Sequence, residues 1–166
     1  GPGDEVIVPS LTYVASVNTI LQTGATPVFV DSLEETLQVD PASVRAAITP
    51  RTRAIMPVHL YGHPCDMDEL GQICREHGLL MIEDAAEAFA SRWKGQHIGT
   101  FGDAATFSFF GNKTVTTGEG GMVLARSNEV MERCRHLKSQ GVSKEREYWH
   151  DALAYNYRMT NIQAAI

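Results

Sequence analysis

Residues Ala54–Asp84 read AIMPVHLYGHPCDMDELGQICREHGLLMIED, and this stretch sets the fold class. It opens on a short apolar run, Ala54–Val58, that reads as a buried strand. Asp66 stands where a helix N-cap belongs, and Glu69 follows at the spacing of a capping box. Met67–His77 then reads as a helix, and a second apolar run, Leu79–Ile82, ends on Glu83-Asp84. Strand, helix, strand within about thirty residues is a βαβ unit, whose two strands run parallel.

The same alternation extends in both directions. Strands are expected at Glu5–Val8, Pro27–Val30, Ala105–Phe109 and Met122–Ala125. Helices are expected near Tyr13–Gln22, Pro41–Ile48, Asp84–Ala90 and Asn128–Gln140, with a last one over Asn161–Ile166. Asp40 before Pro41 supplies an N-cap followed by proline at the first helical position. The strands are continuous apolar runs, as in a sheet buried on both faces. The expectation is an α/β fold, a three-layer αβα arrangement with a mostly parallel sheet. Ligands of such sheets bind beyond the carboxyl ends of the strands. Those ends are Pro9–Tyr13, Asp31, His59–Gly62, Glu83–Glu87 and Ser108–Gly121.

Composition narrows the function classes. The 166 residues are 43% hydrophobic and 20% charged, which fits one globular domain. A net charge of −6 without a lysine or arginine cluster argues against a nucleic-acid surface. No apolar run approaches the roughly 18 residues that span a bilayer, so no membrane association is expected. Cys65, Cys74 and Cys134 are odd in number and widely spaced, which suits reduced thiols and a cytoplasmic location. Neither end reads as a natural stop, so the chain is expected to be an excerpt of a longer protein. The irregular segment Gly141–Tyr157 is rich in aromatics, and long loops of this kind are commonly functional or interfacial.

The strand ends carry the chemistry. Of Glu83 and Asp84, one is expected to face the ligand crevice and pair with a cation; Asp84 could equally cap the next helix. His59 and His63 are four apart, but Gly62 and Pro64 argue against the helix that would align them, so no metal site is expected. Gly111-Asn112-Lys113-Thr114 resembles a P-loop only superficially, since a P-loop needs glycine directly before the lysine. No G-x-S-x-G elbow and no G-x-G-x-x-G turn occur. Lys113 remains, with Ser108 upstream and Gly118, Gly120 and Gly121 downstream, glycines that could leave room for a ligand ring. A lysine amine attacks carbonyls once burial or a cationic neighbour favours its neutral form. A Schiff base with pyridoxal phosphate would also need a carboxylate, an aromatic face and phosphate donors. Asp84, Tyr13 and Ser108 are of those types.

The motifs PSLTYVASVNTILQTGATPVFVD, PVHLYGHPCDMDEL, IEDAAEAFAS, GDAATFSFFGNKTVTTGEGGMV and YNYRMTNIQAAI resemble, in order, those of the DegT/DnrJ/EryC1/StrS sugar aminotransferases. The resemblance implies the large domain of a fold-type I enzyme dependent on pyridoxal 5′-phosphate, related to aspartate aminotransferase. Residues 1–166 would be the central part of that domain, without the N-terminal phosphate-binding segment or the C-terminal small domain, and inactive alone. Lys113 would form the Schiff base and carry the substrate proton, while Asp84 would hold the pyridinium nitrogen. Tyr13 would stack on the ring, Glu87 would sit near its hydroxyl, and Ser108 would bind its phosphate. Asn156 would reach the phosphate in the partner subunit, so a homodimer would share its active sites. The implied reaction moves an amino group from glutamate to a nucleotide-linked 4-keto-6-deoxy sugar. A branch that dehydrates its sugar carries histidine in place of the lysine, and Lys113 speaks against it. Two alternatives stay open: another nucleotide keto-sugar or ring carbon, and a non-catalytic sensor or binding domain on the same fold.

Overall fold

The computed structural model describes residues 1–166. Eight strands form in chain order: β1 (Glu5–Pro9), β2 (Thr26–Val30), β3 (Thr52–Ile55), β4 (Leu80–Asp84), β5 (Arg92–Trp93), β6 (Gln96–His97), β7 (Ala104–Ser108) and β8 (Gly121–Ala125). The helices are α1 (Val14–Gln22), α2 (Pro41–Ala46), α3 (Met67–His77), α4 (Asn128–Leu137) and α5 (Asn161–Ala165). Six strands make one sheet in the order β2-β1-β3-β4-β7-β8. All neighbours run parallel except β8, which returns antiparallel to β7.

Strand order dictates which face each helix covers. From β1 the chain steps outward to β2, then reverses past β1 to β3 and onward to β4. Right-handed crossovers in opposite directions place their helices on opposite faces. The pleat records the outcome. Ile7, Ile55 and Met81 point to one face and pack with Val44 of α2 and with Leu70, Ile73 and Cys74 of α3. Val8 points to the other and packs with Ile20 of α1, joined by Val6, Val17 and Met56. The three expected layers are present.

Local signals explain the helix ends. Asp40 caps α2 through the amides of Ala42 (2.9 Å) and Ser43 (3.2 Å), with Pro41 in the first turn. Asp66 caps α3 through Asp68 and Glu69, and Gly78 closes it in the left-handed region at φ 64°. Glu69 returns no bond to Asp66; the reciprocal capping box forms instead at Thr160 and Gln163 of α5.

One expected helix does not form. Asp84 ends β4, and Ala85–Ala90 is a series of turns in which no amide bonds four residues back. The Ala85 amide extends the β4–β7 pairing to the Thr106 carbonyl (2.9 Å), and the Ala86 amide binds the Asp84 carboxylate. Ala88 and Ser91 then donate three residues back, and Ala90 sits at φ 66°. The expected helix over Asn128–Gln140 also stops early, at Leu137, as Gln140 turns left-handed at φ 63°. The hairpin of β5 and β6 was not expected, since two-residue strands leave no period. Its Lys94-Gly95 turn, with φ 47° and 88°, is the type that matches strand twist.

Candidate active site

The pleat of β4 separates its two carboxylates. Neighbouring side chains on a strand point to opposite faces, so Glu83 turns toward α3 and Asp84 toward α1. The sequence left both available for one crevice; the structure sets them on opposite faces of the sheet.

Asp84 is held by both oxygens. Its Oδ2 accepts from the Ser16 hydroxyl at 2.6 Å, and its Oδ1 accepts from the Ala86 amide at 3.1 Å. It therefore caps no helix. Asp84 pairs in register with Thr106 of β7, so Ser108 lies on the same face two residues further toward the carboxyl end. The Ser108 hydroxyl oxygen accepts from the Phe110 amide (3.3 Å), which leaves its hydrogen free for an anion. Tyr13 is the residue before α1, three positions from Ser16, and is 75% exposed.

Lys113 lies in the loop after β7 with its side chain only 17% exposed. Its Nζ donates to Glu87 Oε1 at 3.2 Å, and Glu87 Oε2 accepts from the Tyr61 amide at 2.7 Å. Glu87 thus joins the β4 exit, the lysine loop and the turn Leu60–Gly62, where Tyr61 adopts φ 53°. The neighbour of the lysine is an anion. The cation that would favour a neutral amine is not among its partners here.

The glycines of the lysine loop serve the backbone. A Cβ on Gly121 would stand 2.6 Å from the Phe107 carbonyl oxygen, and one on Gly120 would meet Met159 at 3.2 Å. Gly118 adopts φ 85° in open space. Gly120 and Gly121 permit the antiparallel return, and Gly118 its turn.

Asn156 is not brought to the other candidates. A β-bridge joins it to Ser139 just beyond α4, and it has no hydrogen bond to Asp84, Glu87, Ser108 or Lys113. Tyr155 and Tyr157 on either side stack at 5.1 Å.

On the opposite face Glu83 is fully buried and accepts four hydrogen bonds. The amides of Gly99 (2.7 Å), Phe101 (2.9 Å) and Gly102 (2.7 Å) bind it, together with His59 Nε2 (3.3 Å). The Cys65 amide donates to His59 Nδ1 (3.1 Å), so the ring proton sits on Nε2 and points at the carboxylate. His59 is therefore a neutral structural histidine. Burial pushes the Glu83 carboxyl up, but the bonds from His59, Gly102 and Gly99 outweigh it and hold it below its ordinary 4.5. Arg126 grips the same turn from its carbonyl side, reaching Phe101 at 3.0 Å.

Sequence reasoning missed Ser16 and the Tyr61 amide. A backbone amide leaves no trace in residue identity. Ser16 left one clue, a hydroxyl within a helix start read mainly for its aromatic residue.

The chain matches the model of the DegT/DnrJ/EryC1/StrS aminotransferase family over residues 1–166. It is 60% identical to GDP-perosamine synthase of Escherichia coli O157:H7, over 99% of this chain and 45% of that protein. It is 57% identical to GDP-perosamine synthase of Caulobacter vibrioides, over 100% of this chain and 45% of that protein. The crystal structure of Streptomyces venezuelae DesV in complex with a ketimine intermediate shares its fold, with a TM-score of 0.92 and 48% identity. That match covers 99% of this chain and 44% of DesV. The chain thus spans about half the length of the proteins it resembles.

Proposed function

The chain belongs to the DegT/DnrJ/EryC1/StrS aminotransferase family, and from that premise we propose an aminotransferase dependent on pyridoxal 5′-phosphate. Its reaction moves an amino group from glutamate to the C4 ketone of GDP-4-keto-6-deoxy-D-mannose. In this reading residues 1–166 are the central part of the cofactor-binding large domain. The observation that carries it is the shared face of Asp84 and Ser108, with the part-buried Lys113 in the loop that follows Ser108 and paired to Glu87.

The donor set fits the cofactor. Asp84 is a carboxylate with both oxygens anchored, able to receive the ring N–H. Ser108 keeps a hydroxyl hydrogen for the phosphate, and the exposed ring of Tyr13 offers a face to the pyridine. Glu87 would lie at the ring hydroxyl. When bound, the cofactor supplies an electron sink for the bond changes at the amino-bearing carbon. Lys113 would hold its aldehyde and, as a free amine, would move a proton from one carbon to another. Glu87, fixed by the Tyr61 amide, orients that amine between turns. The two half-reactions share one lysine, so the kinetics are ping-pong.

The deciding experiment incubates the full-length protein with glutamate and a panel of nucleotide keto-sugars differing in base and in ketone position. Amination of the GDP-linked 4-ketone ahead of all others is expected. Preference for a 3-ketone or another nucleotide would overturn the substrate assignment.

The active unit in this reading is a homodimer in which Asn156 completes the partner's phosphate site. Its side chain makes no hydrogen bond within the chain, and the flanking sequence carries the exposed groups Tyr148, Leu153, Tyr157 and Ile162. Lys113→Ala and Asn156→Ala proteins should each be inactive alone. Mixed after subunit exchange, they should recover activity, because a heterodimer holds one intact site. Mixtures as inactive as their components would count against sharing.

A further inference from the structure

The Ser16 hydroxyl is buried, with the residue only 3% exposed, and it spans 68 residues of sequence to reach Asp84. Its bond to Oδ2, at 2.6 Å, has the length of a charge-assisted O–H···O⁻ contact. A carboxylate cannot donate, so the single Ser16 hydrogen is committed to Asp84. Thr12 Oγ1, 3.0 Å from Ser16 Oγ, must then donate to it. That contact is shorter than the 3.4 Å alternative to the Tyr13 carbonyl. The hydroxyls form a directed chain, Thr12 to Ser16 to Asp84.

The chain has a geometric consequence. With the Ala86 amide on Oδ1 and Ser16 on Oδ2, the carboxylate plane cannot rotate without breaking a bond. Ser16 also sits in the first turn of α1, three residues after Tyr13. One helical turn therefore carries both an exposed aromatic ring and the clamp on the carboxylate.

Resting on the aminotransferase reading above, we propose that Ser16 is a positioning residue. It orients Asp84 toward the cofactor's ring nitrogen and locks that carboxylate to the turn that presents Tyr13. Ser16 touches neither cofactor nor substrate; it acts through Asp84.

The test measures pyridoxal phosphate affinity of the full-length protein, by titration of cofactor-free wild type and of Ser16→Ala, Ser16→Cys and Ser16→Thr. The visible cofactor band is followed against pH in each. Loss of a hydrogen bond to a charged group should weaken binding about ten- to hundred-fold in Ser16→Ala. Ser16→Cys, which keeps the volume with a weak donor, should fall nearly as far, and Ser16→Thr should stay near wild type. The pH midpoint of the band should move in the first two. A filler of space alone would change cofactor-free melting temperatures but leave that midpoint in place. Wild-type affinity and midpoint in folded Ser16→Ala or Ser16→Cys overturn the inference. Failure of wild type itself to bind the cofactor overturns the aminotransferase reading and this inference with it.

Discussion

Lys113→Ala is expected to abolish amino transfer by the full-length protein, lowering kcat by at least about 10⁴-fold, the upper range for a positioned acid–base group. The loss exceeds that of any other single change at the site because one amine does two things. In the proposed reaction it would bind the cofactor aldehyde and, as a free amine, carry the proton between two carbons. The only hydrogen-bonding partner of Lys113 Nζ is Glu87, a carboxylate that cannot take the place of the amine. Lys113→Arg should not rescue, since a guanidinium stays protonated. The fold should survive, because Lys113 contributes one partly exposed ion pair, worth about 1 kcal/mol or less. Steady-state rates together with a thermal melt check both halves. Turnover within tenfold of wild type would refute the assignment, and a collapsed melt would move the lysine from catalysis to structure.

Glu83→Gln should have the largest effect on stability, about 3–5 kcal/mol, the cost of breaking a buried hydrogen-bonded charge. The substituted side chain could accept at one oxygen only, and its NH₂ would face amides that also donate. Three backbone N–H groups and His59 would compete for a single acceptor. The pH dependence follows from the direction of the shift. The folded carboxyl titrates below its ordinary 4.5, so its stabilisation is fully present above that value and is lost as pH falls through the lower folded one. The gap in unfolding free energy between wild type and Glu83→Gln should therefore be widest at neutral pH and shrink below 4.5. Urea unfolding at several pH values measures it. A gap independent of pH would mean that shape, not charge, holds the Gly99–Gly102 turn.

The two carboxylates show how far residue identity reaches. Glu83-Asp84 at a strand end is readable, and the pleat guarantees that they point to opposite faces. Which face meets a ligand is not readable from the pair. It depends on α1 and α3 lying on opposite sides, which follows from the reversal of strand order between β1 and β3. The helix expected over Asp84–Ala90 failed for a related reason. Helical propensity counts local residues, whereas Ala85 continues the pairing with a strand later in the chain and Ala90 turns left-handed at φ 66°.

The sequence alone determined the alternating architecture and the loops at its strand ends, and it singled out Lys113 as a candidate amine. These are local properties, set by hydrophobic period, caps and turn residues. Only the tertiary structure decided that Asp84 faces α1, that Ser16 and the Ala86 amide hold it, and that Glu87 joins Lys113 to Tyr61. Those contacts link groups up to 68 residues apart. Their formation depends on crossover direction and strand register, which no short window of residues contains.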